Sequence, residues 1–124
     1  MQETEKTVAV VRAYQETFRH GGARFDAARL LEVLAPDVVF EATLVGRRIG
    51  AAALVAGVER FAKSVVTFTV IQELALGREM AVLYDCELTR PAGTHRFAEF
   101  FHVEGGRITE LRLLFDATEY RKLV

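Results

Sequence analysis

The sequence has few residues of the types that form covalent cross-links or metal centres. Cys86 is the only cysteine among 124 residues, which excludes an intrachain disulfide and a cysteine pair at zinc-ligand spacing. His20, His95 and His102 are far apart, and no two are spaced like metal ligands on a helix or strand. The Gly105-Gly106 pair is followed by no predicted helix, so it is not a phosphate-binding loop. We therefore expect no metal ion, no cofactor and a reducing, cytoplasmic location.

Neither a block of basic residues nor a long hydrophobic run is present. The 16 Lys and Arg residues are balanced by 17 Asp and Glu residues, and no basic cluster would neutralise a run of nucleic-acid phosphates. The longest apolar runs are far shorter than the roughly 20 residues that span a bilayer, and residues 1–6 are mostly polar. We expect neither a nucleic-acid partner nor a membrane partner.

The sequence does contain enough apolar material for one core. Hydrophobic residues make up 51% of the chain and charged residues 27%, which is typical of a globular protein and too apolar for a disordered one. A chain of this length is expected to bury about two thirds of the surface that its unfolded form exposes. We therefore predict a single domain over residues 1–124.

The spacing of apolar residues predicts helices first and strands afterwards. Steps of three and four predict a helix over residues 7–19, a second helix from the capping residue Asp26 until Pro36 stops it, and a third over residues 51–63. Strands rich in β-branched and aromatic residues are predicted at 38–44, 65–76, 80–89, 96–103 and 108–115. This order indicates an α+β fold with a curved antiparallel sheet.

Two acidic residues fall on apolar faces of neighbouring predicted strands. If the turn from Arg90 to Gly93 is symmetric, Asp85 lies directly opposite Glu99, with Cβ atoms about 5 Å apart. In a partly dry site two such carboxylates do not both ionise easily. One would hold a proton and act as a general acid, and the other would accept a proton.

The strand register leaves a second interpretation open. A one-residue slip would turn Glu99 outward, and a two-residue turn at Gly105-Gly106 would pair it with Arg112 in an ordinary surface ion pair. A three-residue bulged turn would pair it with Leu111 instead. Periodicity alone does not decide between the two faces.

Four segments carry a resemblance to a known family: Tyr14-Gln-Glu-Thr-Phe, Leu34-Ala-Pro-Asp-Val-Val-Phe-Glu, Gly46-Arg-Arg-Ile-Gly, and Phe100-Phe-His-Val-Glu-Gly-Gly-Arg-Ile-Thr-Glu followed by Leu114-Phe-Asp. Together they resemble the SnoaL-like branch of the nuclear transport factor 2-like superfamily, which includes polyketide cyclases, ketosteroid isomerases, limonene epoxide hydrolases and binding proteins. The resemblance implies a cone-shaped, cystatin-like α+β barrel, in which the sheet wraps around N-terminal helices and an internal pocket.

The resemblance also implies which residues carry the chemistry. In ketosteroid isomerase relatives, a tyrosine late in the first helix and an acid on the fourth strand donate hydrogen bonds to a substrate oxygen, and Tyr14 and Glu99 match those positions. The proton-shuttling aspartate of those relatives aligns with Ala42, with Glu41 beside it. Cyclases and epoxide hydrolases carry an acid where this chain has Leu113. None of the known catalytic sets is complete.

The residues that match a position in one of these catalytic sets define the candidate site. Epoxide hydrolase relatives place an arginine and an aspartate two residues apart where this chain has Leu83 and Asp85, so the resemblance keeps Asp85 beside Tyr14 and Glu99 as candidate catalytic residues. The alternative for Tyr14 is a core tyrosine whose hydroxyl reaches solvent. The expected lining of the pocket is Phe18, Phe40, Ala42, Phe97, Phe101, Leu113 and Phe115.

We therefore expect a protein that binds a small apolar molecule in an internal pocket. The leading hypothesis is a cofactor-independent isomerase or cyclase that transfers protons on an apolar carbonyl or polyketide-like substrate. The alternative is a non-catalytic binding or interaction domain of the same fold. A second apolar face is predicted on the sheet, made of Val82, Tyr84, Cys86, Leu88, Ala98, Phe100 and His102, and it predicts a homodimer through the outer sheet face.

Overall fold

The computed structural model describes residues 2–121 and has the predicted helices and strands in the predicted order, together with a short strand at Gly46–Ile49 and a short helix at Thr118–Arg121 that were not predicted. The helices are α1 (Glu3–Glu16), α2 (Ala27–Glu32), α3 (Ala51–Ala62) and α4 (Thr118–Arg121), with a 3₁₀ turn at Gly22–Arg24. The strands are β1 (Leu34–Ala42), β2 (Gly46–Ile49), β3 (Val65–Leu76), β4 (Glu79–Thr89), β5 (Ala92–Glu104) and β6 (Arg107–Phe115). The predicted α+β fold class is confirmed.

All six strands form one curved, open sheet in the order β2-β1-β6-β5-β4-β3. Neighbouring strands are antiparallel, as predicted, with the exception of β1 and β6, which are parallel. The two partners are far apart in sequence, and periodicity within a strand carries no information about its direction relative to such a partner. Among residues 2–121 no helix is both long and apolar enough to cross a membrane.

The second helix is shorter than predicted because the chain enters strand β1 at Leu34, before Pro36. Pro36 is exposed and lies where the register between β1 and β6 shifts, between Leu34 and Val39. Proline has no N–H to donate to a sheet, so this interruption of the register is a place where it is tolerated. Asp26 does cap α2, since its carboxylate accepts a hydrogen bond from the Arg29 N–H at 3.0 Å.

Helix α1 begins at Glu3, four residues earlier than predicted, and is anchored to the turn between β3 and β4. The Thr7 hydroxyl donates to the Gly77 carbonyl oxygen at 2.6 Å, and the Gly77 N–H donates to the Thr4 hydroxyl at 2.9 Å. These bonds hold α1 across the concave face of the sheet. Further along α1, Tyr14 packs edge-on against Phe18 and Phe101, with ring centroids 5.4 Å apart in each case. The anchor and the ring contacts together fix where the Tyr14 hydroxyl points.

Candidate functional site

Glu99 lies at the centre of the concave face of the sheet and is buried. Its exposed fraction is 1%, and its register partners are Val82 on β4 and Leu113 on β6. The inward orientation predicted for Glu99 therefore agrees with the structure. A lone carboxyl group in such a position is costly unless other groups satisfy its oxygens.

Two tyrosine hydroxyls satisfy the Glu99 carboxyl group, one at each oxygen. Tyr14 on α1 donates to Oε2 at 3.0 Å, and Tyr84 on β4 donates to Oε1 at 3.0 Å. Both tyrosines are buried. The Tyr84 ring is held between the rings of Phe68 and Phe97, with centroids 4.8 and 5.3 Å away. Glu99 thus has two preorganised donors at fixed positions.

Burial and hydrogen bonding act on the Glu99 carboxyl group in opposite directions. Burial raises its pKa from a usual 4.5 to about 7, because the charged form is disfavoured away from water, while the tyrosine hydrogen bonds oppose this rise. Burial also raises the pKa values of Tyr14 and Tyr84 well above 10, and the neighbouring Glu99 adds to the effect. Near neutral pH both tyrosines are neutral, and Glu99 is populated in both of its forms.

The protonation state of Glu99 decides what the three groups offer to a ligand. When Glu99 is ionised, both hydroxyl protons are used on its two oxygens. When Glu99 is protonated, the three groups hold one proton more than their two mutual contacts need. One O–H can then donate into the space beside them. The cluster can therefore accept a proton from a ligand or donate one to a ligand oxygen.

That space is a cavity of about 380 Å³ between the sheet and the helices. Glu99, Tyr14 and Tyr84 form its polar end. The remaining wall is mainly apolar and consists of Phe18, Phe40, Ala42, Val45, Ala53, Leu54, Gly57, Val58, Phe61, Leu111, Leu113 and Phe115, with Arg48 and Arg60. The volume and lining are typical of a site for a small, mostly apolar molecule.

Five of the predicted lining residues border this cavity: Phe18, Phe40, Ala42, Leu113 and Phe115. The other two, Phe97 and Phe101, are buried on the same face of the sheet but do not border the cavity. Their rings pack behind its wall, Phe97 against Tyr84 and Phe101 against Tyr14. They support the two tyrosines but are not among the residues that would contact a ligand in the cavity.

Asp85 does not face Glu99, and the predicted carboxylate pair is wrong. Asp85 is opposite Arg96 on the convex face of the sheet, where its two carboxylate oxygens accept hydrogen bonds from Arg96 at 2.8 and 3.0 Å. These bonds hold the Asp85 pKa below its usual value. The hairpin between β4 and β5 turns over two residues, Arg90 and Pro91, since Thr89 pairs with Ala92. The predicted partner of Asp85, Glu99, lies three positions from its observed partner Arg96, and an odd shift of register reverses the face.

The same difference in register makes the predicted outer face wrong, and it explains why sequence reasoning missed Tyr84 as a site residue. Val82, Tyr84, Cys86 and Leu88 are buried on the concave face, whereas Ala98, Phe100 and His102 lie on the convex face. Tyr84 therefore belongs to the site. The proline inside the predicted turn was the available signal, because proline is favoured in tight turns.

A bulge explains why neither predicted partner of Glu99 on β6 is the observed one. The turn at Gly105-Gly106 has two residues, with Glu104 paired to Arg107, but the register then shifts by one between His102 and Val103. Glu99 meets Leu113 as a result, and Arg112 points outward to Glu41 at 3.3 Å. Glu41 is thus outside the cavity, and the surface ion pair between Glu99 and Arg112 is not formed.

Ala42 and Leu113, which the sequence resemblance aligns with acidic positions, both line the cavity. Glu99 is consequently the only acidic side chain on its wall among the described residues. Within residues 2–121 no group of three or more His, Cys, Asp and Glu side chains is arranged to hold a metal ion.

The model of the SnoaL-like domain family matches residues 11–111. The chain belongs to this family. Comparison with functionally curated proteins gives no match. The match to the family model confirms the resemblance inferred from the sequence.

Solved structures similar to this SnoaL-like chain include proteins of several descriptions. A nuclear transport factor 2-like protein of unknown function from Mesorhizobium loti has a TM-score of 0.79 and 21% identity, over 94% of this chain and 95% of that one. A candidate ketosteroid isomerase from Kribbella flavida has a TM-score of 0.73 and 25% identity, over 94% and 82%. An LEH-like epoxide hydrolase from M. tuberculosis has a TM-score of 0.74 and 22% identity, over 97% and 90%. Because relatives of one fold carry different chemistries, the function of this chain has to be argued from its own cavity.

Proposed function

We propose that this SnoaL-like protein is a cofactor-independent enzyme that transfers a proton on a small, mostly apolar carbonyl compound. The observation that carries the proposal is the buried Glu99, which borders an apolar cavity and has a pKa of about 7. A general acid or base works best when its pKa lies near the operating pH. A carboxyl group with its usual pKa of 4.5 would be almost entirely ionised there.

In the proposed reaction Glu99 carries the proton and Tyr14 holds the substrate oxygen. The ionised Glu99 takes a proton from the carbon next to the carbonyl group, so that the C–H bond breaks and an O–H bond forms on Glu99. The resulting enolate oxygen accepts a hydrogen bond from the Tyr14 hydroxyl, which turns from Glu99 toward the substrate. Tyr84 stays on the other carboxyl oxygen and fixes its direction. If the substrate has a β,γ double bond, return of the proton to the γ carbon moves this double bond next to the carbonyl group and completes an isomerisation.

A second candidate is a protein that binds the same kind of molecule without transforming it. The observation in its favour is the apolar character of Ala42 and Leu113, which leaves a single carboxyl group from residues 2–121 on the cavity wall. One proton carrier is sufficient for the reaction above. A single carboxyl group also suits a binding protein that recognises a carbonyl oxygen through one O–H donor.

Deuterium exchange distinguishes these two candidates. We would incubate 2-tetralone, an apolar ketone with an acidic C–H, with the protein in D₂O at pH 7 and follow loss of the C–H signal by NMR. Catalysis predicts exchange above the buffer rate, and Glu99→Gln should reduce the protein-dependent rate about 100-fold or more, because general acid–base catalysis contributes factors of this order. Asp85→Asn is the matched control, since it removes the same charge on the convex face. It should change the rate less than twofold.

Binding of 2-tetralone with exchange at the buffer rate would contradict the catalytic proposal. If Glu99→Gln then changed only the affinity, the binding role would be supported. A wild-type rate that Asp85→Asn reduced as strongly as Glu99→Gln would also contradict the assignment, because the effect would not be specific to the cavity.

A further inference from the structure

The opening of the cavity carries positive charge that no acidic side chain within residues 2–121 neutralises through an ion pair. Four lining residues are exposed, namely Val45, Ala53, Arg48 and Arg60, and they mark the side of the cavity that faces solvent. Apart from the two arginines and Glu99 at the inner end, the described residues place no charged side chain on the wall. The cavity thus has a carboxyl group at one end and two guanidinium groups at the other.

Arg48 is placed at the opening by the short strand β2. Its register partner on β1 is Phe40, which borders the cavity, so both side chains point to the concave face. One guanidinium N–H donates to the Arg47 carbonyl oxygen at 2.9 Å, which leaves the other donors available. Among residues 2–121 Arg48 forms no ion pair.

Arg60 reaches the opening from α3, on the same side of the helix as Gly57. Its guanidinium Nη2 lies 3.9 Å from the place that a Cβ atom on Gly57 would occupy. The missing side chain of Gly57 leaves room for this guanidinium along the cavity wall. Arg60 also has no ion pair within the described part of the chain.

Within residues 2–121 six other arginines form ion pairs, and those that form none, namely Arg24, Arg47, Arg90, Arg107 and Arg121, are not among the residues that line the cavity. The ion-paired ones are Arg12 with Glu73, Arg19 with Glu16, Arg29 with Glu32, Arg78 with Glu3 and Glu104, Arg96 with Asp85, and Arg112 with Glu41 and Glu110. The two arginines at the opening thus combine a position on a ligand-sized cavity with unused donors. Guanidinium groups match carboxylates in geometry and charge.

We infer that the ligand of this cavity is an amphipathic anion, with a carboxylate group at the opening between Arg48 and Arg60, an apolar body along the wall, and a carbonyl oxygen at Glu99 and the tyrosines. The carbonyl end of this inference rests on the proposed function, whereas the anionic end rests on the two arginines alone. The substrate class is therefore an apolar keto acid.

The test uses keto acids of different length and their neutral esters. Calorimetry would compare 5-oxohexanoate, 7-oxooctanoate and 9-oxodecanoate with the corresponding methyl esters, so that the distance between the two ends of the cavity is sampled. We expect at least one acid to bind about tenfold more tightly than its ester. The carboxylate accepts charge-assisted hydrogen bonds from the guanidinium groups, whereas the neutral ester does not. Raising the salt concentration to 0.5 M should weaken binding of the acid and leave the ester unchanged.

Arginine variants locate the charge that selects the acid. Arg48→Gln and Arg60→Gln should each lower the affinity for the acid about five- to tenfold and change the affinity for the ester less than twofold. Arg47→Gln is the matched control, since Arg47 neighbours Arg48 but is the register partner of Glu41, which points to the convex face. It should leave both affinities unchanged.

Three results would overturn the inference: no acid that binds better than its ester, equal losses in the Arg47 and Arg48 variants, or no binding by any of the compounds. Deuterium exchange in the same samples separates this inference from the proposed function. Glu99-dependent exchange that is equal for acids and esters would preserve proton transfer and overturn the anionic end. Arginine-dependent binding without exchange would preserve the anionic end and contradict proton transfer.

Discussion

The substitution Glu99→Gln should change how the stability of the protein depends on pH. The glutamine side chain would keep the shape of the glutamate but would not titrate. In the wild-type protein the Glu99 pKa rises from a usual 4.5 to about 7 on folding, so the folded state holds this proton more tightly than the unfolded state. Stability is then greatest at low pH and falls as the pH rises from about 4.5 to 7. A shift of this size corresponds to about 3 kcal/mol between pH 4.5 and pH 8.

Urea unfolding at pH 4.5 and pH 8 measures this loss in both proteins. Other titrating groups contribute equally to wild type and variant, so we expect the free energy of unfolding to fall by about 3 kcal/mol more in the wild type than in Glu99→Gln. Asp85→Asn should not reproduce this effect. Parallel pH dependences of wild type and Glu99→Gln would refute the raised pKa. A wild type that gained stability relative to the variant as the pH rose would show that the tyrosine hydrogen bonds outweigh burial.

Two further predictions concern the tyrosines and the convex face of the sheet. Tyr14→Phe and Tyr84→Phe should each raise the Glu99 pKa above about 7, because each removes a donor that stabilises the carboxylate; ¹³C NMR of the Glu99 carboxyl group measures this, and an unchanged or lower pKa would contradict the reasoning. The predicted homodimer would cover the exposed Phe100, so Phe100→Glu should shift the sedimentation coefficient from that of a dimer to that of a monomer. A wild-type protein that sediments as a monomer would contradict the predicted homodimer.

The fold could be predicted further than the site. Helix spacing, strand composition and glycine-containing turns are local signals, and they predict the α+β class and most element positions. The parallel pairing of β1 with β6 joins segments far apart in sequence, and no local pattern reports the direction of such a pair. Strand β2 has only four residues, all exposed, and therefore carries no alternating pattern.

Which side chains of β4 and β5 face the cavity depends on the strand register, and one turn and one bulge set that register. The assumption of a symmetric turn around Arg90 to Gly93 predicts Asp85 opposite Glu99, three positions from its observed partner Arg96. The observed two-residue turn exchanges Asp85 for Tyr84 on the concave face. The position of Glu99 was obtained correctly only with the help of the family resemblance, since the bulge near His102 that fixes its partner on β6 has no mark in the sequence.

The exchange of Asp85 for Tyr84 has a chemical consequence. A second carboxylate beside Glu99 would share one proton with it, and the pair would titrate in two widely separated steps. Tyr84 instead supplies a neutral donor whose own proton is not lost in the physiological range, because burial raises its pKa well above 10. Glu99 therefore titrates as a single group, and burial and the two hydroxyls together set the pH at which it does so. The arginines at the opening are not among the causes of that shift, so the same cavity can attract an anion at one end and still hold a proton at the other.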